Sequence, residues 1–265
     1  MGVILLSFDV EEFDMAMEYG GTLTMEQQLA ITTDGLYKLL RLLERFRIHC
    51  TFYCTAQYAL NRADLIRELH NEGFEIASHG YYHSSFNYED LGTSKAVLEN
   101  IIAAPVLGYR MARMMPLDDS EVEKAGYLYN SSVNPTWIPG RYNNLSQPRT
   151  LFRAGKLFQR PASVTPLLRI PLFWLSFHNF SLPLYLRLLG QVLKQDGYAN
   201  IYFHPWELID YARIGGAKYP GYVTKNSGAA MEKRLTVLFS WALGKGHRFQ
   251  TTKAWLKEQE TSVTT

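Results

Sequence analysis

Cysteine is nearly absent: Cys50 and Cys54 are the only two in 265 residues. That scarcity excludes a small fold stapled by disulfides. The two lie in one predicted strand, on the same face and two pleats apart, too far for an easy bridge. They are expected as free, buried, inert thiols, which points to a reducing compartment and hence a cytoplasmic protein. No apolar run reaches the ~18 residues of a membrane-spanning helix, so no transmembrane segment is predicted. Residues 1–7 lack a basic region and a cleavage site, so no signal peptide is expected. There is no long cationic run, and 27 Lys+Arg against 25 Asp+Glu leave a net charge of only +2. That balance excludes the electrostatic footprint of a nucleic-acid-binding protein. No internal repeat or low-complexity linker breaks the chain, and its length predicts a single domain over residues 1–265.

Hydrophobic residues make up 47% of the chain, enough for a full core. Aromatics are abundant, led by 17 tyrosines, a composition that serves a sugar-binding cleft as well as a tyrosine-rich surface. Residues 3–8 form a nearly continuous apolar run, fit for a strand buried on both faces. Strands are predicted at 48–53, 74–77, 106–110, 127–132, 200–204 and 248–251. Helical periodicity covers 33–47, 63–71, 93–103, 120–125, 182–195, 229–243 and 252–260, followed by a frayed tail. This alternation predicts parallel strands in an α/β fold. It fails between 134 and 181, where only strand-like pieces at 151–153, 158–162 and 167–172 are visible.

The residues capable of chemistry cluster at predicted strand ends. Asp9, Glu11 and Glu12 follow the first core strand, where carboxylates are costly unless paired, hydrogen-bonded or metal-bound. A helix N-terminus is the bland reading of the same acids. His79 and His83 are four apart, a spacing that on a helical turn puts both rings on one face, where they can share a metal. Arg110 and His204 also end strands; alone, each reads as a surface ion pair or a packed core histidine. In a parallel sheet such ends converge on one face. Two histidines and a carboxylate suit zinc or another first-row divalent metal with open positions. The remaining carboxylate, arginine and histidine can then serve as base, orienter and acid in metal-assisted hydrolysis. Trp206 reads as a pocket wall, and Glu207 either orients His204 or faces solvent.

Four motifs carry a family resemblance: Ser7-Phe-Asp-Val-Glu-Glu12, Ser78-His-Gly-Tyr-Tyr-His83, Gly108-Tyr-Arg110 and Tyr202-Phe-His-Pro-Trp-Glu207. In order and content they resemble the polysaccharide deacetylases, the NodB-homology family, in a branch with Asp-Val-Glu in the first motif. The resemblance implies a distorted (β/α) barrel of seven parallel strands. It implies metal-dependent removal of an N-acetyl group from an amino sugar in a poly- or oligosaccharide, with carbohydrate as the partner. By the family pattern Asp9 is the base, Arg110 pairs with it and His204 protonates the leaving amine, while a backbone N–H between 109 and 112 faces the oxyanion. Glu11, His79 and His83 hold the metal, zinc by expectation, with Glu12 as the rival ligand. Strand alternation favours Glu11, because base and metal must share a face. Hydrolysis of a non-sugar amide and a catalytically silent, metal-retaining carbohydrate-binding protein are the alternatives. The chain departs from the family at Ala112, where proline is usual, and at Asn130, where aspartate is frequent. It also has no evident aspartate to tune His204.

Overall fold

A computed structural model describes residues 1–263, with side chains described through residue 260. Its strands are β1 (Val3–Val10), β2 (Thr51–Cys54), β3 (Glu75–Ser78), β4 (Gly108–Tyr109), β5 (Tyr129–Asn130), β6 (Trp137–Ile138), β7 (Tyr142–Asn143), β8 (Phe152–Ala154), β9 (Leu157–Gln159), β10 (Tyr198–Phe203) and β11 (Arg248–Gln250). The main sheet runs β10-β1-β2-β3-β4-β5-β9-β8. From β10 to β9 every pairing is parallel, so seven parallel strands follow one another around the curl. Only β8 is antiparallel, and β11 lies parallel beside the first half of β1. Beyond β9 the chain reaches back to β10, where Ser163 N–H donates to Asn200 O (2.8 Å) and Asn200 N–H to Ser163 Oγ (2.8 Å). The sheet thus forms a distorted (β/α) barrel, while β6 and β7 make a separate hairpin.

The pattern of β1 explains its central place. Ile4, Leu6, Phe8 and Val10 pack into the large core shared with the helices. Val3 and Leu5 face the barrel interior with Tyr53, Ala77 and Tyr129. Side chains alternate along a strand, so the interior row continues through Ser7 to Asp9 at the barrel mouth.

The longest helix, Met25–Phe46, begins eight residues before the predicted 33–47. Its first turns carry Gln27, Gln28, Thr32 and Thr33, which hide the apolar period. Thr24 and Gln27 form a reciprocal capping box, and Leu29, Leu36, Leu39 and Leu43 are buried. This helix positions the site twice. Thr32 Oγ1 donates to Glu11 O (2.7 Å) and fixes the exit of β1. Gly35 lies against the backbone of Pro205, in the 3₁₀ turn Pro205–Leu208 that follows β10.

Several expectations need correction. β4 and β5 are only two residues each, because the chain turns away to the site sooner than the apolar runs imply. Residues 167–172 form no strand: residues 166–168 are a turn, and only a Val164–Pro171 bridge pairs. The helices Ala56–Asn61 and Trp174–Asn179 were not foreseen. The last helix is Thr252–Val263, and of the expected frayed tail residues 264–265 lie outside the described residues. Cys50 and Cys54 are free and buried. No helix among the described residues is long and apolar enough to cross a membrane.

Gly35→Ala tests the close approach of helix and loop. A Cβ there would meet Pro205 O at 2.1 Å, a backbone atom that cannot rotate aside. We predict a loss of about 1–3 kcal/mol in urea unfolding, as for other overpacked sites. An unchanged midpoint would show that the loop yields freely.

Candidate active site

Asp9 is the last interior-facing residue of β1, and it is buried. Arg110, just past β4, donates from Nη1 to Asp9 Oδ1 (2.6 Å). The guanidinium is fully buried, so it needs every partner it has. Nη2 donates to Ser131 Oγ (3.1 Å) and Nε to Ser131 O (3.3 Å). The rings of Tyr53 (3.9 Å) and Tyr202 (4.9 Å) supply cation–π contacts. Of the backbone N–H groups expected to face an oxyanion, that of Arg110 is donated to Ser78 O and that of Met111 to Ser132 Oγ. Neither is free for that task.

Glu11 Oε2 stands between His79 Nε2 (3.1 Å) and His83 Nε2 (3.2 Å). Its other oxygen accepts from the Trp206 indole N–H (3.2 Å). The two histidines do not sit on a helical turn, contrary to the i, i+4 expectation. His79 leaves the end of β3, and Gly80, at φ 85°, turns the chain so that His83 comes back over it. A side chain at Gly80 would be strained in that left-handed conformation. His79 Nδ1 faces Arg110 O (2.9 Å), and His83 Nδ1 faces Asp14 Oδ1 (2.8 Å). A carbonyl and a carboxylate only accept, so each Nδ1 carries a proton and each Nε2 points inward.

One ligand atom from each of Glu11, His79 and His83 lies within 4.8 Å of the others. Two inward Nε2 atoms and one carboxylate oxygen, each ring held by an outer acceptor, form a donor set that fits a divalent cation such as zinc. Burial pushes the Glu11 carboxyl up, but the facing His83, His204 and His79 outweigh it and hold it well below the usual carboxylate range. Burial opposes a charge on His83, yet Glu11 and Asp14 raise its pKa to about 9. Glu12 turns the other way and accepts from Thr55 Oγ1 (2.7 Å), and burial raises its pKa.

His204 follows β10. Its Nε2 lies 4.0 Å from Asp9 Oδ2 and 3.9 Å from Glu11 Oε1. Its Nδ1 contacts Glu207 Oε1 (2.9 Å), which also accepts the His204 backbone N–H (2.6 Å). Glu207 is therefore buried and orients His204; it does not face solvent. The second Glu207 oxygen meets His178 Nε2 (2.7 Å), while His178 Nδ1 meets Lys225 O (2.5 Å). Both nitrogens of His178 thus face acceptors, which fixes the ring between Glu207 and the Lys225 carbonyl. Trp206 stacks on the His204 ring at 4.5 Å and 20°, and Trp174 meets it edge-on.

The groups open on a cleft of ≈ 380 Å³, walled by Tyr142, Phe173, Trp174 and Tyr222. Sequence reasoning missed Asp14, Arg113 and His178. Asp14 accepts from Arg113 Nη2 (2.6 Å) while holding His83. Its one signal was its place three residues after Glu11. Arg113, in a 3₁₀ turn, and His178, in the short helix Trp174–Asn179, belong to no motif. Asn130 binds Asp119 and Ser132, and Ser132 accepts from Met111 N–H, so this departure from the family serves to anchor the β4 exit. Ala112 is buried and starts a 3₁₀ turn that puts Arg113 at φ 58° beside the cleft.

The opposite aims of Glu11 and Glu12 give a direct test. We predict that Glu11→Ala weakens zinc binding by ~100-fold or more, as loss of one of three ligands should. Glu12→Ala should change it by less than ~10-fold. Zinc titration of both metal-free variants decides, and equal or reversed losses would refute the assignment.

Residues 21–104 match the family model described as Polysaccharide deacetylase. That stretch contains His79 and His83 but not Asp9, Glu11, Arg110 or His204. No curated protein matches the sequence. In fold the chain is similar to a protein named as a polysaccharide deacetylase from Mycobacterium smegmatis: 19% identity, TM-score 0.64, 98% of this chain and 90% of that one covered. A second protein so named, from Pseudomonas aeruginosa PAO1, has 14% identity and a TM-score of 0.66, covering 95% and 88%. Puue allantoinase has 16% identity and a TM-score of 0.60, also covering 95% and 88%. In sequence across residues 21–104, and in fold across nearly its whole length, the chain resembles the polysaccharide deacetylases.

Proposed function

We propose that the protein is a metal-dependent hydrolase that removes an N-acetyl group from an amino sugar. The observation that carries this reading is one convergence: His204 Nε2 lies 4.0 Å from Asp9 Oδ2 and 3.9 Å from Glu11 Oε1, and all three line a single cleft. The likeness to polysaccharide deacetylases supports deacylation of a carbohydrate amide. Aromatic walls suit a sugar ring, which is flat on one face and polar at its edge.

Glu11, His79 and His83 would hold a divalent cation such as zinc, which when bound supplies Lewis-acid polarisation of the acyl oxygen and a more acidic water. Arg110 occupies Asp9 Oδ1 and leaves Oδ2 toward the cleft, where it takes the proton of the attacking water. The water oxygen bonds to the acyl carbon, and the carbon–nitrogen bond then breaks. His204 delivers its Nε2 proton to the departing nitrogen, giving acetate and a free amine. Burial opposes the charged ring, but Glu11 and Glu207 raise its pKa and so keep that proton in place. Glu207 fixes the tautomer by accepting at Nδ1. Trp206 holds the ring plane and also binds Glu11, so acid and ligand keep a fixed separation.

A second reading, hydrolysis of a non-sugar amide, is favoured by one specific finding, the fold likeness to Puue allantoinase. Acetate release from N-acetylglucosamine oligomers, run beside a panel of cyclic amides, separates the two. Turnover of the cyclic amides alone would replace the sugar reading, and turnover of nothing would leave a silent binder.

Two variants test the roles. Asp9→Asn should keep its metal and lose acetate release by ~10²–10⁴-fold. Loss of metal instead would make Asp9 a ligand. Glu207→Gln should lower kcat by at least ~10-fold with KM and metal content near wild type, since it acts through His204. A change confined to KM would sink that role.

A further inference from the structure

Between Glu123 and Asp196 the sequence has no acidic residue, while nine lysines and arginines fall in residues 124–195. The rest of the chain holds the other 18 cations and all 25 acids. A nearly neutral protein is thus divided into a strongly basic segment and an acidic remainder. The whole-chain balance conceals this, because the cations are spaced too widely to form a run.

The same segment presents a cluster of exposed apolar side chains. Leu167 is 93% exposed, Leu168 79%, Trp137 60% and Leu145 46%. They stand on three turns that are fastened together. Thr136 Oγ1 donates to Arg169 O (2.6 Å), and Arg169 Nη1 donates to Pro135 O (3.2 Å) and Gln147 O (3.0 Å). Asn144 N–H donates to Thr136 O (2.9 Å). Arg169 is thus committed to holding the loops, and the neighbouring leucines are held out in solvent rather than folded back.

This cluster borders the cleft. In the β6–β7 hairpin, Ile138 pairs with Tyr142, and both line the cleft, as does Arg141 at the hairpin tip. Alternation along β6 turns Trp137 to the outside. The acid on the cleft rim, Glu18, is already paired with Arg113 (2.7 Å).

We propose that this face docks on an anionic lipid surface, with Leu167, Leu168 and Trp137 entering the interface and Arg141 meeting the headgroups. Exposed apolar groups of this kind mark interaction sites. The charge pattern selects the occupant: the loops that carry these apolar groups, residues 134–147 and 163–171, hold Arg141 and Arg169 and no carboxylate, which complements anionic lipid. Shape agrees, since adjacent leucines at a turn tip project singly into an acyl boundary, and tryptophan favours the water–lipid interface. A second copy of the chain is a poor fit, because four side chains fall well short of the ~800 Å² per partner of a stable interface. The docking does not depend on the hydrolase reading.

The test is co-sedimentation of the full chain with vesicles of phosphatidylcholine containing roughly one-third phosphatidylglycerol, against pure phosphatidylcholine. At low salt, binding to the anionic vesicles should be at least ~10-fold stronger, and it should weaken as salt is raised. The double variant Leu167→Ser, Leu168→Ser should lose ~10-fold or more of that binding. Trp137→Ser and Arg141→Ser should each weaken it separately, so the test survives if one variant folds poorly. Leu60→Ser, at a leucine 50% exposed on the helix Ala56–Asn61, should change nothing. The proposal is overturned if wild type does not sediment at low salt, or if the double variant binds undiminished. It is also overturned if the leucines instead mediate lipid-free self-association that the double variant abolishes.

Discussion

Four carboxylates, Asp9, Glu11, Glu12 and Asp14, are buried within six residues at the end of one core strand. An uncompensated buried charge costs several kcal/mol, so each must be answered by a partner from elsewhere. Asp9 receives Arg110 from the end of β4. Glu11 receives His79 and His83 from the end of β3, with His204 from the end of β10 close by. Asp14 receives His83 and Arg113. Glu12 has only a hydroxyl, and its pKa rises instead. The convergence of strand ends is therefore an electrostatic requirement of β1 as much as a property of the barrel.

One helix couples the two halves of the site. Met25–Phe46 binds the Glu11 carbonyl through Thr32 and admits the Pro205 backbone at Gly35, and Lys38 Nζ donates to Leu208 O (3.3 Å). The strand that carries Glu11 and the turn that carries Glu207 are thus registered against a single rigid element. Their separation is set by backbone contacts rather than by the long side chains that do the chemistry.

Much of this was legible in the sequence, for identifiable reasons. The apolar run of β1 marked a two-sided strand, and its period of two separated the aims of Glu11 and Glu12 because the strand persists to Val10. His79 and His83 were visible as a pair, but their convergence comes from a glycine turn, which side-chain spacing cannot distinguish from a helix. The start of the long helix was hidden by buried Gln28 and Thr32, polar residues spent on the carbonyls of Leu23 and Glu11. Leu167 and Leu168 read as strand because periodicity records hydrophobicity, not burial; both are in fact exposed. Asp14, Arg113 and His178 gave no pattern, since their partners are far away in sequence.

The placement of β1 also bears on how the chain is made. Its neighbours are β2 on one edge, sharing that edge with β11, and β10 on the other, paired from Val3↔Tyr198 to Phe8↔Phe203. During synthesis β1 cannot complete its sheet until residues some two hundred positions later have emerged from the ribosome. Until then the edge of β1 that pairs with β10 stands open. Loop closure over such separations is slow, and unpaired strand edges invite wrong contacts. The barrel mouth is thus complete only once β10, which carries His204 at its end, has been made.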